Sequence, residues 1–284
     1  MNMTALQREF KKLEMHPQTF TLLQDKDGVT VLQMEYFGRR YVLKYFEKPE
    51  YRREIKLYDV LKRLGIPTPH VASSSDASLV LEDLSCSPVY RLGEEQDMAD
   101  PDVARALARW YRQLHKKGAA YAAAHAAELY DESDFFTREN IARIKEKTDA
   151  AAPVWELLEE HFDALAAKLQ ATPRTLTYND FDYTNLAVAK DKTAALMFDY
   201  NLLGKGFVYT DLRNVTYSLS PEAGAAFLEE YGPFPREEIL LDDVVSPIVA
   251  LHMALGRETF PTWGEEALAQ VLSPAYSEKI GQLL

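Results

Sequence analysis

Cysteine is almost absent from this 284-residue chain, with Cys86 the only one. That excludes an intrachain disulfide and a cysteine-built zinc site. A single cysteine beside an apolar strand reads as a small buried hydrophobe. No apolar run approaches the length of a membrane span. Residues 1–13 are polar and mixed in charge, without the apolar core of a secretory signal. No membrane association is expected, and the expected location is the cytoplasm. Positive charge is also scarce: 32 Lys and Arg stand against 44 Asp and Glu, a net charge of −12. An acidic surface repels nucleic acid and draws cationic ligands, so nucleic acid is not an expected partner.

The 47% hydrophobic and 27% charged residues describe a globular chain long enough for one large domain or two lobes. The charge is uneven. Residues 1–81 hold 13 basic and 10 acidic side chains, whereas residues 82–284 hold 19 and 34. A mildly basic first part and a strongly acidic second part can serve two different ligands.

The pattern along the chain changes once. Residues 20–24, 29–36 and 41–46 read as β-strands. Asp25-Lys26-Asp27-Gly28 is the turn between the first two. Pro49 suits a helix start, and Tyr51, Ile55, Tyr58 and Leu61 form one helical stripe that Gly65-Ile66-Pro67 terminates. Residues 79–81 make a short apolar strand. From residue 101 helical periodicity dominates, over 103–117, 138–147, 153–169, 221–231 and about two later segments. A strand pair, 186–189 and 194–198, interrupts it around Lys190-Asp191-Lys192. The class is therefore α+β: a small antiparallel sheet with one helix over residues 1–84, then a larger, mostly helical part over 85–284.

The segment richest in chemistry runs from Thr177 to Asp199, TYNDFDYTNLAVAKDKTAALMFD. Asn185 precedes the first strand of the pair and Asp199 follows the second. Symmetry about residue 192 predicts that they lie opposite each other at the open end of the hairpin. An amide oxygen beside a carboxylate suits Mg²⁺, a hard cation that often bridges to phosphates. Asp180 sits close by in sequence, placed to orient or deprotonate a substrate hydroxyl. Taken singly, each of these groups can be no more than a solvated surface polar residue. Their set gains weight from Lys44 and Glu54 upstream. Lys44 ends an apolar strand. Glu54 lies on the buried stripe of the following helix, three residues after Tyr51 and four before Tyr58. A buried carboxylate needs a partner, and Lys44 is the natural one; Glu50 is the lesser alternative to Glu54.

Together these residues resemble the aminoglycoside phosphotransferase and choline kinase superfamily, a branch of the protein-kinase-like two-lobed fold. YVLK ending at Lys44 is similar to the strand lysine that holds the α- and β-phosphates of ATP. Glu54 followed by Leu64-Gly65-Ile66-Pro67-Thr68-Pro69 is similar to the helix glutamate and its Gly-x-Pro-x-Pro turn. LVLEDL resembles the hinge strand, which implies that the Glu82 carbonyl and the Leu84 amide bind the adenine edge. RQLH resembles a helix end whose histidine, here His115, is structural. Asn179-Asp180 with Asn185 resembles the catalytic loop, Asp199-Tyr200 the metal-binding pair, and Asp211-Leu212 a later structural aspartate.

The resemblance implies a small-molecule kinase. Asp180 is then catalytic, Lys44, Glu54, Gly28, Glu82 and Leu84 hold the nucleotide, and Asn185 and Asp199 hold Mg²⁺. The acidic second part implies a small cationic acceptor, and Trp155, Trp263, Tyr217 and Tyr231 are cage candidates or core residues. Four departures stand out. Tyr178 replaces the usual loop histidine, Asp182 adds negative charge, residues 24–29 hold a single glycine, and Asn201 stands where choline kinases tend to have Glu. A nucleotide-binding, pseudokinase-like protein without phosphotransfer is the alternative. A protein kinase fits poorly, since the stretch from Asp199 to Asp211 is too short for an activation segment and no Ala-Pro-Glu follows.

Overall fold

The computed structural model describes residues 3–284. In chain order the first elements are α1 (Met3–Lys12), β1 (Thr19–Lys26), β2 (Val29–Tyr36), β3 (Arg39–Phe46), α2 (Arg53–Arg63), β4 (Val71–Ser74) and β5 (Ser78–Glu82). Then come β6 (Tyr90–Leu92), α3 (Pro101–Ala124), α4 (Arg138–Lys147), α5 (Pro153–Ala171), β7 (Thr175–Thr177), β8 (Leu186–Ala189), β9 (Ala195–Met197) and β10 (Gly204–Gly206). Five helices close the chain: α6 (Val208–Ser218), α7 (Pro221–Tyr231), α8 (Glu237–Ala254), α9 (Thr262–Val271) and α10 (Pro274–Leu283). The chain divides into two compact units. One comprises Met1–Gly118, Tyr178–Leu203 and Asn214–Gly232, and the other Ala119–Thr177, Gly204–Arg213 and Pro233–Leu284.

The first unit is built on an antiparallel sheet of order β1-β2-β3-β5-β4. Alternation along β2 and β3 sends Leu32, Met34 and Leu43 to one face, where Leu6, Phe10 and Leu13 of the N-terminal segment cover them. α1 is a helix that the polar composition of residues 1–13 concealed. Only Leu6 and Phe10, four apart, carry its apolar stripe, while its buried Glu9 is held by Lys12, Ser75 and Ser78. The small sheet thus has two helices, not one. α2 ends as its sequence predicts: Gly65 takes φ +63 and the Ile66 amide donates to the Leu61 carbonyl, a left-handed cap that favours glycine. The other parts of this unit are the sheet β6-β8-β9, most of α3, the end of α6, and α7. α7 starts at a Ser220 cap with Pro221 behind it and stops before Gly232 at φ +84.

The second unit is helical apart from the β7–β10 ladder. Its core gathers Ile141, Ile144, Trp155, Leu158, Val244, Ile248 and Val271 from α4, α5, α8 and α9. Trp155 is fully buried there, with its indole N–H donated to the Asp149 carbonyl, and therefore cannot cage a ligand. Tyr231, in the first unit, is buried too and bonds the His115 ring at 2.8 Å, which fixes both as structural. Tyr217 and Trp263 are exposed, and so, against expectation, is Cys86, which falls in the 3₁₀ turn after β5 rather than on the strand. Among the described residues, no helix is long and apolar enough to cross a membrane.

Candidate active site

Lys44 occupies the sheet face opposite the Leu43 core, between Val31 of β2 and Leu79 of β5. Its ammonium lies 2.9 and 2.8 Å from the two carboxylate oxygens of Glu54 and 3.0 Å from Asp199. Glu54, in the first turn of α2, is 1% exposed. It also accepts the Tyr200 backbone N–H at 3.4 Å, so the residue after Asp199 is tied to α2. Residues 44, 54 and 199, far apart in sequence, form one contact chain. Burial by itself would lower the Lys44 pKa. Glu54 and Asp199 outweigh it, so the net direction is up and the lysine stays charged.

The β8–β9 hairpin departs from its predicted register by one residue. Leu186 pairs with Met197 and Ala187 with Leu196, so Asn185 faces Phe198, whose amide donates to the Asn185 carbonyl at 2.9 Å. The cause is the turn. The Ala189 amide donates to the Ala194 carbonyl, leaving a loop of residues 190–193, and the symmetry axis falls between residues instead of on Lys192. Asp199 is the next residue beyond the Asn185–Phe198 pair and adopts φ +61, a left-handed turn. Asn179 is likewise left-handed at φ +66. Two such non-glycine residues at one site are a form of stored backbone strain.

The loop that carries Asp180 is fastened to the segment around Asp199 at two points. The buried Tyr178 hydroxyl donates to the Phe198 carbonyl, and the Asn179 amide donates to the Leu202 carbonyl at 3.0 Å. Tyr178 therefore acts as a brace between this loop and the segment around Asp199. The Asn185 amide nitrogen donates to the Asp180 carbonyl at 3.3 Å, which leaves Asn185 Oδ1 as the atom available to a cation. Asp182 caps its own 3₁₀ turn, accepting from the Thr184 amide and hydroxyl at 2.8 and 2.7 Å. Burial, then the charges of Asp199 and Asp182, push the Asp180 pKa up, while Lys44 pulls it down.

A cavity of about 180 Å³ is lined by Lys44, Glu54, Asp199 and Asn201, with Phe46 and Tyr51 among its apolar walls. The tip of the β1–β2 hairpin closes it with Gln24, Lys26, Asp27 and Val29. Of these residues the sequence points to Lys44, Glu54 and Asp199 by motif and to residues 24–29 and Asn201 as departures, whereas Phe46 and Tyr51 carry no such signal. Among the described residues Asn201 Oδ1 is buried without a hydrogen-bond partner, an acceptor left open beside Asp199. Gly28 borders a hollow on the other side of the hairpin, with Asp25, Thr30 and Tyr45. Glu82 closes β5, where its carboxylate accepts from the His70 amide, and Leu84 opens the 3₁₀ turn capped by Asp83. Asp211, in the second unit, is 1% exposed.

The oxygen donors present suit magnesium: Asn185 Oδ1, the Asp199 carboxylate, and an open acceptor on Asn201. Among the described residues, no cluster of three or more His, Cys, Asp or Glu could hold a metal. A cation with two or three protein oxygens takes its other ligands from phosphate and water, which is the habit of Mg²⁺.

Comparison with known proteins places this geometry in a family. Solved structures share the kinase-like fold over nearly the whole chain. A choline/ethanolamine kinase family protein from Mesorhizobium loti superposes with a TM-score of 0.67 at 14% identity, over 99% of each chain. The streptomycin–ATP–APH(2")-IIa ternary complex gives 0.66 at 17% identity, over 99% of this chain and 98% of that one. A macrolide 2'-phosphotransferase from Brachybacterium faecium gives 0.64 at 20% identity, over 95% and 98%. No curated protein matches by sequence. The phosphotransferase enzyme family matches residues 27–238, about three quarters of the sequence, and the chain belongs to that family.

Proposed function

We propose that the protein transfers the γ-phosphoryl group of ATP to a hydroxyl of a small cationic molecule. The observation that carries this reading is Lys44 held between Glu54 and Asp199, with Asp180 close enough to feel both Lys44 and Asp199. Residues 1–84 supply the nucleotide-holding parts, and residues 85–284 the catalytic loop and the acceptor site. Lys44, fixed by Glu54, neutralises phosphate charge. Glu82 and Leu84 present backbone groups to the adenine edge, and Gly28 allows the hairpin turn above the phosphates. Asn185 and Asp199 would hold Mg²⁺, which would supply positive charge to offset that of the phosphates. Asp180 orients the acceptor hydroxyl in line with the phosphorus and takes its proton. Positioning and charge carry nearly all the catalysis in this chemistry.

Two kinds of support bear on the substrates. The neighbouring APH(2")-IIa structure holds ATP with streptomycin, and a spectinomycin phosphotransferase neighbour holds ADP with spectinomycin. The acidic excess lies after residue 81, which favours a cationic acceptor. The test is transfer of labelled γ-phosphate from ATP to a panel of amino alcohols, aminoglycosides and sugars. Magnesium-dependent labelling of a cationic member is expected. Nucleotide binding with neither transfer nor hydrolysis would leave a nucleotide-binding protein without phosphotransfer.

The raised pKa of Asp180 has a consequence for stability. A carboxyl that binds its proton more tightly in the folded state adds stability at low pH, and that contribution is lost as pH rises through the folded value. Asp180→Asn mimics the protonated form. Its melting temperature should therefore exceed that of the parent at pH 8 and match it near pH 4, while activity is lost. A variant less stable than the parent at pH 8 would contradict the assignment. The acid limb of turnover in the parent should lie above the usual aspartate range.

A further inference from the structure

The hairpin over the cavity has no run of glycines to wrap phosphates. It is a two-residue turn, with Asp27 at φ +56 and Gly28 at φ +86, the pattern of a tight type I′ hairpin. Its tip carries two aspartates and one lysine, so which of them faces the cavity decides whether the roof attracts or repels a polyphosphate. Directly paired residues of an antiparallel ladder share a face. Gln24 pairs with Val31 and Lys26 with Val29, and these in turn pair with Lys44 and Phe46. These six residues therefore share one face, and all six line the cavity.

A β-bulge sets this arrangement. Leu22 pairs with Leu32 on the opposite, core face, and the register then shifts between Leu22 and Gln24. With regular pairing Leu23 would face Val31 and Asp25 would face Val29, placing an aspartate on the Lys44 side. The extra residue reverses the alternation. It turns Asp25 away, where its carboxylate accepts the Thr30 hydroxyl at 2.8 Å, and brings Lys26 onto the cavity face. Among the described residues the Lys26 ammonium forms one ion pair, with Asp27 at 3.9 Å and both side chains about 70% exposed, a contact of little worth that a phosphate would readily displace. Lys26 also edges the hollow behind the hairpin, so the tip is within reach of either side.

We infer that Lys26 is a second phosphate-binding cation, carried onto the nucleotide side by the bulge at Leu23, and that it selects for the polyphosphate end of the nucleotide. This rests on the phosphotransferase reading above. Lys44 is anchored by two carboxylates, which cancel much of its charge. Lys26 shares the cavity rim with Asp27, but their pair is long and solvent-exposed, so it cancels far less of the Lys26 charge than Glu54 and Asp199 cancel of Lys44's. A lysine acts on phosphate as a point charge on a flexible stem, suited to a tip that closes over a ligand.

The experiment is calorimetric titration of the full chain with magnesium and either ATP or AMP. The parent is compared with Lys26→Met and with the charge exchange Asp25→Lys/Lys26→Asp. Lys26→Met should weaken ATP binding about tenfold, the low end for a charge-assisted hydrogen bond, and change AMP binding less than about twofold. The exchange variant keeps the net charge and should lose at least as much ATP affinity. The loss should shrink as salt rises, because the side chain is exposed. Unchanged ATP affinity in Lys26→Met, or equal losses for ATP and AMP, would overturn the role of Lys26 and leave the phosphotransferase reading standing. A parent protein that binds neither nucleotide would overturn both.

Discussion

Asp199→Asn is expected to lower phosphoryl transfer by about a thousandfold or more while leaving the fold intact. The substitution suits its position. Asp199 lies at φ +61, and asparagine tolerates that left-handed conformation at least as well as aspartate does. Only the charge is lost. That charge is asked to do two things: it pairs with Lys44 at 3.0 Å, and it is the one anionic oxygen donor proposed for Mg²⁺. Charge stabilisation by a bound metal supplies several kcal/mol to a transition state, and about 4 kcal/mol corresponds to a thousandfold in rate. Mg·ATP affinity should fall as well, and the change in binding with magnesium concentration should flatten. Steady-state kinetics with a parallel magnesium titration checks both. Turnover within tenfold of the parent would remove Asp199 from the metal site. A matching fall in melting temperature would instead assign it a structural role.

Lys44→Met should be the most destabilising single change at the site. It leaves the Glu54 carboxylate at 1% exposure with Asp199 as an anionic neighbour and no cation between them. Breaking a buried pair by removing one partner costs about 3–5 kcal/mol, or roughly 10 °C in melting temperature for a chain of this size. Glu54 can escape part of that cost by taking up a proton, since burial already pushes its pKa upward. The deficit should therefore shrink at low pH. Lys44→Met/Glu54→Gln removes both charges and keeps an acceptor for the Tyr200 amide. It should recover most of the stability and none of the activity. Thermal melts at pH 5 and pH 8, together with turnover, separate the two roles of the lysine. A single variant as stable as the parent would mean that Lys44 does not compensate the buried glutamate.

Much of this site is legible before any coordinates, for identifiable reasons. Lys44 and Glu54 can be paired because a charged residue on a buried helical stripe demands a counter-ion and only one lysine ends the preceding strand. Asp180, Asn185 and Asp199 can be gathered because a short hairpin brings its ends together whatever its exact turn. The register itself escapes. An even loop of residues 190–193 rather than an odd one moves Asn185 from Asp199 to Phe198, a difference that composition does not encode. The brace from Tyr178 to the Phe198 carbonyl is a tertiary contact between segments 20 residues apart, so the departure from histidine can be noticed in the sequence but not explained there. The bulge at Leu23 is hidden as well. Strict alternation assigns Asp25, not Lys26, to the cavity face, and only the pairing of β1 with β2 reverses the choice. α1 is missed because only two of its apolar residues, Leu6 and Phe10, are buried, and a stripe that short gives a weak periodic signal. The cage suggested by the aromatic residues fails because Trp155 and Tyr231 are fully committed to packing.

In the proposed mechanism Lys44, Asn185 and Asp199 gather around a metal-bound triphosphate with Asp180 alongside. The measurement that meets it most directly is a crystal structure of the protein with Mg²⁺ and a non-hydrolysable ATP analogue. Phosphate oxygens are expected within hydrogen-bonding distance of the Lys44 ammonium, with a magnesium ion bonded to Asp199 and Asn185 and with Asp180 facing the terminal phosphate. A nucleotide bound elsewhere, or phosphates in the cavity with no metal at Asp199, would contradict it.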